Sequence, residues 1–446
     1  MRILVITYYF PPAGGGGVQR VLSWCRHLPE LGVEVTVAAP EKPRWVDVDT
    51  TLVVPASVEV LRTPDPSPAA LIPREHVAGV RGLRKVARTI ALQPRRFAVP
   101  DIHRAWRGPA VGAIIASARE RKRTGRAPWD LVISSSPPET THLVACDVAE
   151  QLGIPWIADF RDSWLDLPHL RMDSPSVRLK HARNTRLAQR TLARASALTT
   201  VSEPLAADLR ARHPELQVHV LENGMEPADI ARGRARMDGF RDTGRFVVAY
   251  TGNFFGRQSP AVFLEAVERF VDAHPDARGD LIVRFVGGLK PVDRARIDGA
   301  PTLAAVVEHI PFLRHDDVLA QQAAADLLFL YVAPGRGSAG VYTGKVFEYV
   351  ASRRPVLAQA PAGNVAASLL VRAGAVDEVV GGALLDPQDV SGTADALERA
   401  WRTWRDAGGR DGVRTSDVDV PSDVLVSIDR SETARRLVDL ARTLVD

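Results

Sequence analysis

The sequence predicts an α/β chain made of two similar domains, each a parallel sheet wrapped by helices. Three observations carry this. The opening runs strand (3–7), glycine loop (Gly14, Gly15, Gly16, Gly17), helix (18–31) and strand (33–39), the order of a βαβ unit. The same plan starts again at 246, with a strand, a Thr251-Gly252-Asn253 loop, a helix over 260–273 and a strand over 281–286. The chain has 446 residues, room for two or three domains at roughly 150 residues each.

Composition narrows the class. Apolar residues make up 46% of the chain, enough for globular cores. The formal charge is +4, too mild a balance to call for a nucleic-acid partner. The charge is uneven, with 14 Lys/Arg against three Asp/Glu over 74–126. A basic face of that kind suits peripheral contact with anionic lipid, or else a solvated helix surface. Cys25 and Cys146 form neither a disulfide framework nor a zinc spacing, and both sit in apolar helical patterns, which suits a reducing cytoplasm. The chain enters a strand at Arg2 with no leader pattern, and no apolar run approaches the ~18 residues of a membrane span.

Taken in order, residues 3–7 form an apolar run of the kind buried on both faces of a parallel sheet. In the first helix Val21, Leu22, Trp24, Cys25, Leu28 and Leu31 mark the buried side. The dinucleotide fingerprint GxGxxG does not fit, because counting from Gly14 and Gly16 the third glycine falls on Gln19. Consecutive glycines instead let backbone approach a ligand closely. A short strand is expected at 58–61, helices at 77–90 and 103–124, a strand at 130–134 and a helix at 139–152. The strand at 155–158 delivers Asp159, Arg161 and Asp162 to its carboxyl end, the edge where open α/β sheets bind ligands. These carboxylates can orient hydroxyls or carry a proton, with Arg161 holding phosphate; an internal ion-pair knot is the structural alternative. A basic helix (176–194), a strand (196–201), a helix capped by Ser202 (203–212) and a strand (217–221) finish the first half. Residues 226–243 alternate charges without an apolar stripe and read as an interdomain linker. The second half adds strands at 305–309 and 326–331 and helices at 315–324, 364–372, 391–405 and 431–445.

The stretch 340–358 carries the clearest chemistry. A loop of small residues leads into a helix that starts near Thr343, Gly344 and Lys345, followed by Pro355 and the apolar run 356–358. A helix start presents free N–H groups and partial positive charge, a phosphate site to which Lys345 adds a point charge. Glu348 lies one turn on, on the same face, where a carboxylate can accept from vicinal hydroxyls. Phosphate at one end and a diol acceptor at the other describe a nucleoside diphosphate; an amphipathic helix with a Lys–Glu surface pair is the bland reading.

These motifs are the Tyr-Tyr-Phe-Pro-Pro opening with its four glycines, Ser135-Ser136-Pro137-Pro138, Asp159-Phe160-Arg161-Asp162-Ser163-Trp164, Val201-Ser202-Glu203, Asn223-Gly224, Tyr250-Thr251-Gly252, and Gly344-Lys345-Val346-Phe347-Glu348-Tyr349 before Arg354-Pro355-Val356. In this order they make the chain resemble, over nearly its whole length, the family 4 type of retaining, nucleotide-sugar-dependent glycosyltransferases. The resemblance is strongest to the bacterial branch that assembles surface polysaccharide and glycoconjugates. It implies the GT-B fold: two Rossmann-like domains facing across a cleft, with the last helix packing back on the N-terminal domain. The expected divisions are 1–225 for the acceptor, 226–243 as linker, 244–426 for the nucleotide sugar and 427–446 for the returning helix.

The resemblance further implies that Glu348 holds the ribose hydroxyls and that Thr343, Gly344 and Lys345 lie by the diphosphate. Gly252, Asn253 and Arg257 join the donor site, with Phe312 and the backbone at 310–313 framing the base. Gly14 to Gly17 face donor phosphates and acceptor. Three departures stand out. Gly340 occupies the position of a second Glu near the donor sugar. Asn253 and Gln258 replace an Arg and a Lys, and the adjacent Arg257, with Lys345 or Arg336, is expected to supply the charge. Ser134 to Ser136 replace a His, which shifts proton and hydroxyl chemistry to Asp159 or Asp162. The expected reaction is transfer from a UDP-sugar to a hydroxyl of a saccharide, lipid-linked or small-molecule acceptor, with retention and the leaving phosphate as base. No cofactor and no metal is required, and Mg²⁺ is not expected. The expected location is the cytoplasm, at the inner membrane face. The alternatives on this fold are a sugar-nucleotide epimerase and a non-catalytic nucleotide-sugar binder.

Overall fold

A computed structural model describes residues 1–41, 48–50, 52–66, 98–165, 175–254, 258–335, 337–413 and 415–445. The helix expected at 77–90 lies outside the described residues. The chain divides into two compact units, Met1–Glu222 together with Thr433–Asp446, and Asn223–Glu432.

The first unit is built on a seven-stranded sheet in the order β3-β2-β1-β4-β5-β6-β7. Its strands are β1 (Arg2–Thr7), β2 (Glu34–Pro40), β3 (Glu59–Thr63), β4 (Leu131–Ser136), β5 (Trp156–Phe160), β6 (Ala197–Thr200) and β7 (Val218–Val220). All neighbouring pairs are parallel. Parallel strands need crossovers on the faces, so central strands are buried on both sides and read as apolar runs; Ile3 to Ile6 and Leu131 to Ile133 are fully buried. The chain runs from β1 outward to β2 and β3, then returns to place β4 on the other side of β1. The β1/β4 carboxyl edge is therefore the topological switch point, where ligands of open sheets bind. The last helix, Arg430–Val445, seals one face: Ala434, Leu437, Val438 and Ala441 join Ile3, Val5, Leu131 and Ile157 in one buried cluster.

The second unit carries a six-stranded parallel sheet in the order β10-β9-β8-β11-β12-β13. Its strands are β8 (Phe246–Thr251), β9 (Leu281–Val286), β10 (Val307–Ile310), β11 (Leu327–Tyr331), β12 (Val356–Gln359) and β13 (Ala383–Leu385). The switch point is β8/β11. Strand β13 has only three residues and escapes a periodicity reading. So do the helices Pro291–Gly299 and Pro301–Val306, which together replace the longer gap read before β10.

Residues 226–243 correct an expectation. They hold the helix Pro227–Arg236 and a 3₁₀ turn, Met237–Phe240, and belong to the second unit. The helix lacks an apolar stripe because it docks by backbone proximity. Gly233 is buried against Leu319 of the helix His315–Ala324, and a Cβ at 233 would lie 2.5 Å from the Leu319 Cβ. Ion pairs clasp the same contact, Arg236 to Asp317 at 2.6 Å and Arg232 to Asp316 at 3.5 Å. Gly233→Val must push these helices apart. The expected cost is about 2 kcal/mol, seen as a drop of about 4–8 °C in the melting of a unit this size; an unchanged melting temperature would show that the helix is not packed through Gly233.

Among the described part of the basic run, Arg107 pairs with Asp147, Arg121 with Glu34 and Glu59, Arg123 with Glu120, and Arg126 with Glu59. Four of the seven described cations of this run are thus tied into local networks. No described helix is long and apolar enough to cross a membrane. Cys25 and Cys146 are free thiols and buried.

Candidate functional site

In the second unit, the carboxyl ends of β8 and β9 run into loops that nest tightly. Gly252 and Gly287 have φ of 118° and 119°, values that favour glycine. A Cβ on Gly287 would lie 2.4 Å from the Gly252 carbonyl oxygen. Asn253, read as a donor contact, uses its Oδ1 to accept from the Gly288 N–H at 2.6 Å. It closes the loop, and its side chain is exposed at the edge.

The helix Lys345–Ser352 starts beside this loop. Its strongest feature is Lys345. The ammonium sits 3.6 Å from the centre of the Tyr250 ring, a cation–π contact. A Cβ on Gly252 would fall 2.8 Å from Nζ. Among the described residues no carboxylate forms an ion pair with Lys345. Burial pushes its pKa down to about 7, against the opposing pull of Glu348. A cation held without a counter-charge beside a glycine loop is poised to receive an anion. Gly344 is exposed at the helix start; among the described residues no side chain caps the first turn, and the buried Thr343 hydroxyl has no partner.

Glu348 lies one turn further along. Its Oε2 accepts from Gln322 Nε2 at 2.9 Å. The same Nε2 donates to Thr251 Oγ1 at 2.9 Å, and the Thr251 backbone N–H donates to the Tyr349 hydroxyl at 3.0 Å. Loop 338–341, which holds Gly340, is sutured by Asn364, whose Nδ2 donates to the carbonyls of Ser338 and Val341 at 2.6 and 3.1 Å. The same side chain caps the next helix by accepting from Ala366 and Ala367. The 310–313 segment approaches the glycine loops through Gly287 N–H to Ile310 carbonyl, 2.8 Å, whereas the Phe312 ring is 78% exposed. Arg257 and Arg336 lie outside the described residues. Thus Gly252, Lys345 and Glu348 come together, with Thr343 and Gly344 at the helix start. Sequence reasoning missed Gln322 and Asn364; the one available signal was a polar residue at a core position.

In the first unit the glycines shape the start of a helix. Gly15, with φ 92°, is the N-cap, and the helix Gly16–Glu30 begins two residues earlier than expected. Gly15 and Gly16 are exposed. Gly14 is buried just before them, and Gly17 is held through its carbonyl by Arg161 Nη1. The Arg161 guanidinium also donates to the carbonyls of Ser136 and Pro137, both at 2.8 Å. It staples the glycine loop to the β4 loop across the switch point.

Asp159, read as an orienting or proton-carrying carboxylate, is locked in an internal ion pair. It is fully buried and accepts from Arg20 Nη2 at 2.7 Å, Arg20 Nε at 3.0 Å, Ser135 Oγ at 2.8 Å and Thr199 Oγ1 at 2.8 Å. Four donors fill the four acceptor sites of a carboxylate. Burial alone would raise its pKa, but the Arg20 charge and these hydrogen bonds outweigh burial and hold it below the usual value. Asp162, by contrast, is exposed, with no hydrogen-bond partner among the described residues. Nearby Glu139 has its carboxyl pushed up to about 8 by burial and by Asp101. His142 is also brought in: its Nδ1 lies 2.7 Å from Ser134 Oγ. Burial pushes its pKa down to about 3, so it stays neutral in the core.

Asp159→Asn leaves the Arg20 charge buried and half-matched. The expected loss is about 3 kcal/mol, or about 6–12 °C in melting temperature, while Asp162→Asn stays within about 0.5 kcal/mol. Equal and small effects at both positions would contradict the locked-carboxylate geometry.

Residues 15–224 match the model of a glycosyl transferase 4-like domain. No curated protein matches the chain in sequence. Among solved structures, sucrose-phosphate synthase from Thermosynechococcus elongatus is similar at 17% identity, covering 99% of this chain and 98% of that one, with a TM-score of 0.62. An α,α-trehalose 6-phosphate synthase from Burkholderia multivorans matches at 16% identity over 99% of each chain, TM-score 0.59. A trehalose-6-phosphate structure from E. coli bound with UDP-2-fluoro glucose matches at 11% identity over 99% of each chain, TM-score 0.59. At these identities the likeness shows the fold: two parallel α/β sheets of the GT-B type.

Proposed function

We propose that this chain, a GT-B protein with a glycosyl transferase 4-like domain over residues 15–224, is a retaining glycosyltransferase. It moves a sugar from a UDP-sugar to a hydroxyl of a saccharide or lipid-linked acceptor. The observation that carries the donor half is the Lys345 ammonium against Gly252, without an ion-pair partner among the described residues, one turn from Glu348, at the β8/β11 switch point. The start of the helix Lys345–Ser352 and Lys345 take the diphosphate, and Glu348 takes the ribose. Lys345 stands in for the charges that Asn253 and Gln258 do not provide. As the glycosidic bond breaks, negative charge grows on the leaving diphosphate, and cations and N–H groups already aimed there stabilise it. The UDP preference draws support from the neighbour bound with UDP-2-fluoro glucose.

In the first unit, the acceptor lies by Gly14 to Gly17, a helix start with no acidic residue in its first turn. Proton and hydroxyl handling there falls to Asp162 and Glu139, because Asp159 is committed to Arg20. Arg161 acts by holding the glycine loop in place. Work in the cytoplasm, with peripheral contact to anionic lipid, completes the reading.

Nucleoside diphosphates provide the first test. A ligand at 100 times its Kd adds about 2.7 kcal/mol, a shift of about 5–10 °C for a unit this size. UDP is expected to raise the melting temperature of the wild type and to leave Glu348→Ala unmoved; equal shifts in both proteins would remove Glu348 from the site.

Lys345 gives the site a pH signature. A bound diphosphate favours the ammonium and raises its pKa above the free value of about 7. Below pH 7 the group is already charged and affinity is flat. Above it, binding takes up a proton, and affinity falls toward tenfold per pH unit until the pKa of the complex is reached. UDP-glucose, whose diphosphate has no terminal phosphate to titrate, is the probe. Its Kd should rise from about pH 7 to about pH 9 in the wild type and stay level in Lys345→Met; a level wild-type profile would contradict the role of Lys345.

A further inference from the structure

Gln322 lies where the phosphate-side loop and the diol acceptor meet. It is fully buried in the helix His315–Ala324. Its single amide nitrogen holds both Thr251 Oγ1, at the end of β8, and Glu348 Oε2, each at 2.9 Å. An ionised carboxylate only accepts, so the amide must turn its nitrogen toward Glu348. Reversing the amide would set Oε1 against the carboxylate and leave Glu348 without this donor, although the Thr251 hydroxyl could then donate to Oε1. The orientation is therefore fixed by chemistry. The neighbouring Gln321 is held as well, by Arg284 Nη1 at 3.0 Å, and Arg284 is tied in turn to Asp242 and Glu308. Gln322 Oε1 is buried without a partner among the described residues, so Gln322 makes its contribution through Nε2.

We propose that Gln322 is the positioning residue that makes this site select a ribonucleotide over its 2′-deoxy counterpart. The inference rests on the reading of Glu348 as the diol acceptor. Glu348 is only half-buried, and its side chain has several rotatable bonds. Unpinned, it can swing to water and accept hydroxyls singly. Pinned by one oxygen from the buried side, it keeps its remaining acceptor sites at a fixed distance and angle. A pair of adjacent hydroxyls meets that geometry, whereas a lone 3′-hydroxyl leaves one acceptor site on a charged group unused. Hydrogen bonds to charged groups are the strong class, so losing one weakens binding about ten- to a hundredfold. Pre-organisation by a supporting side chain turns this difference into selectivity.

The test is equilibrium binding of three matched pairs, UDP with 2′-deoxy-UDP, GDP with 2′-deoxy-GDP and ADP with 2′-deoxy-ADP. The proteins are the wild type, Gln322→Met, Gln322→Asn and Glu348→Ala. The pair that binds the wild type should favour the ribonucleotide by about tenfold or more. Gln322→Met should bring that ratio close to one while changing deoxynucleotide affinity by less than about threefold. Gln322→Asn keeps the amide on an arm one methylene shorter, and should do the same if the Met variant does not fold. A merely structural role would weaken both members of a pair alike. A wild-type ratio retained in a folded Gln322 variant, or no preference in the wild type, overturns the proposal. If Glu348→Ala abolishes the ratio and the Gln322 variants keep it, only the role of Gln322 falls. If Glu348→Ala keeps the ratio, or no pair binds at all, the reading of Glu348 falls first and takes this inference with it.

Discussion

The backbone N–H of Thr251 organises the carboxyl end of the second sheet. In β8 alternate N–H groups face β11, but the β8–β11 pairing reaches only Val248 and Ala249, while β8–β9 continues to Thr251. The strands part at the switch point, and the N–H groups on that side need other acceptors. At the amino end of β8 Asp326 takes the N–H of Val247 at 3.0 Å; at the carboxyl end, where the strands part, the Tyr349 hydroxyl takes that of Thr251 at 3.0 Å. Tyr349 belongs to the helix Lys345–Ser352, so the satisfaction of one buried donor places this helix beside the β8 loop. Lys345 and Glu348 follow from that placement, one over Tyr250 and the other on Gln322.

The two units use charge in opposite ways. In the first, Asp159 and Arg20 neutralise one another in the core, and Ser135 and Thr199 complete the carboxylate shell. Such a pair is costly to break and has no capacity left for a ligand. In the second, Lys345 is half-buried with an aromatic face for company. The desolvation that lowers its pKa is the same free energy that a bound anion restores. Arg161 lies between these extremes: it keeps its charge, but its donors go to three backbone carbonyls that fix the loops of the first switch point.

The strands, the glycine-led helix start and the Lys345–Glu348 spacing were legible in the sequence because each is local. Apolar runs announce buried parallel strands, and three-residue spacing places two side chains on one helical face. What stayed hidden depends on partners far along the chain. Asp159 looked reactive because Arg20 lies 139 positions away. The helix Pro227–Arg236 looked like a linker because it packs through Gly233, which leaves no apolar stripe to count. Gln322 gave no periodic signal, since a buried amide between two acceptors becomes meaningful only once Thr251 and Glu348 are brought to it. The departures at Asn253 and Gln258 suggested a missing cation, and Lys345 against Gly252 shows how a charge from a different element reaches the same loop.

A crystal structure of the chain with UDP bound tests the central claim most directly. The account predicts the diphosphate at the start of the helix Lys345–Ser352 with the Lys345 ammonium turned from Tyr250 toward it, and both ribose hydroxyls on Glu348. UDP bound elsewhere, or a ribose out of reach of Glu348 with Lys345 still stacked on Tyr250, would contradict it.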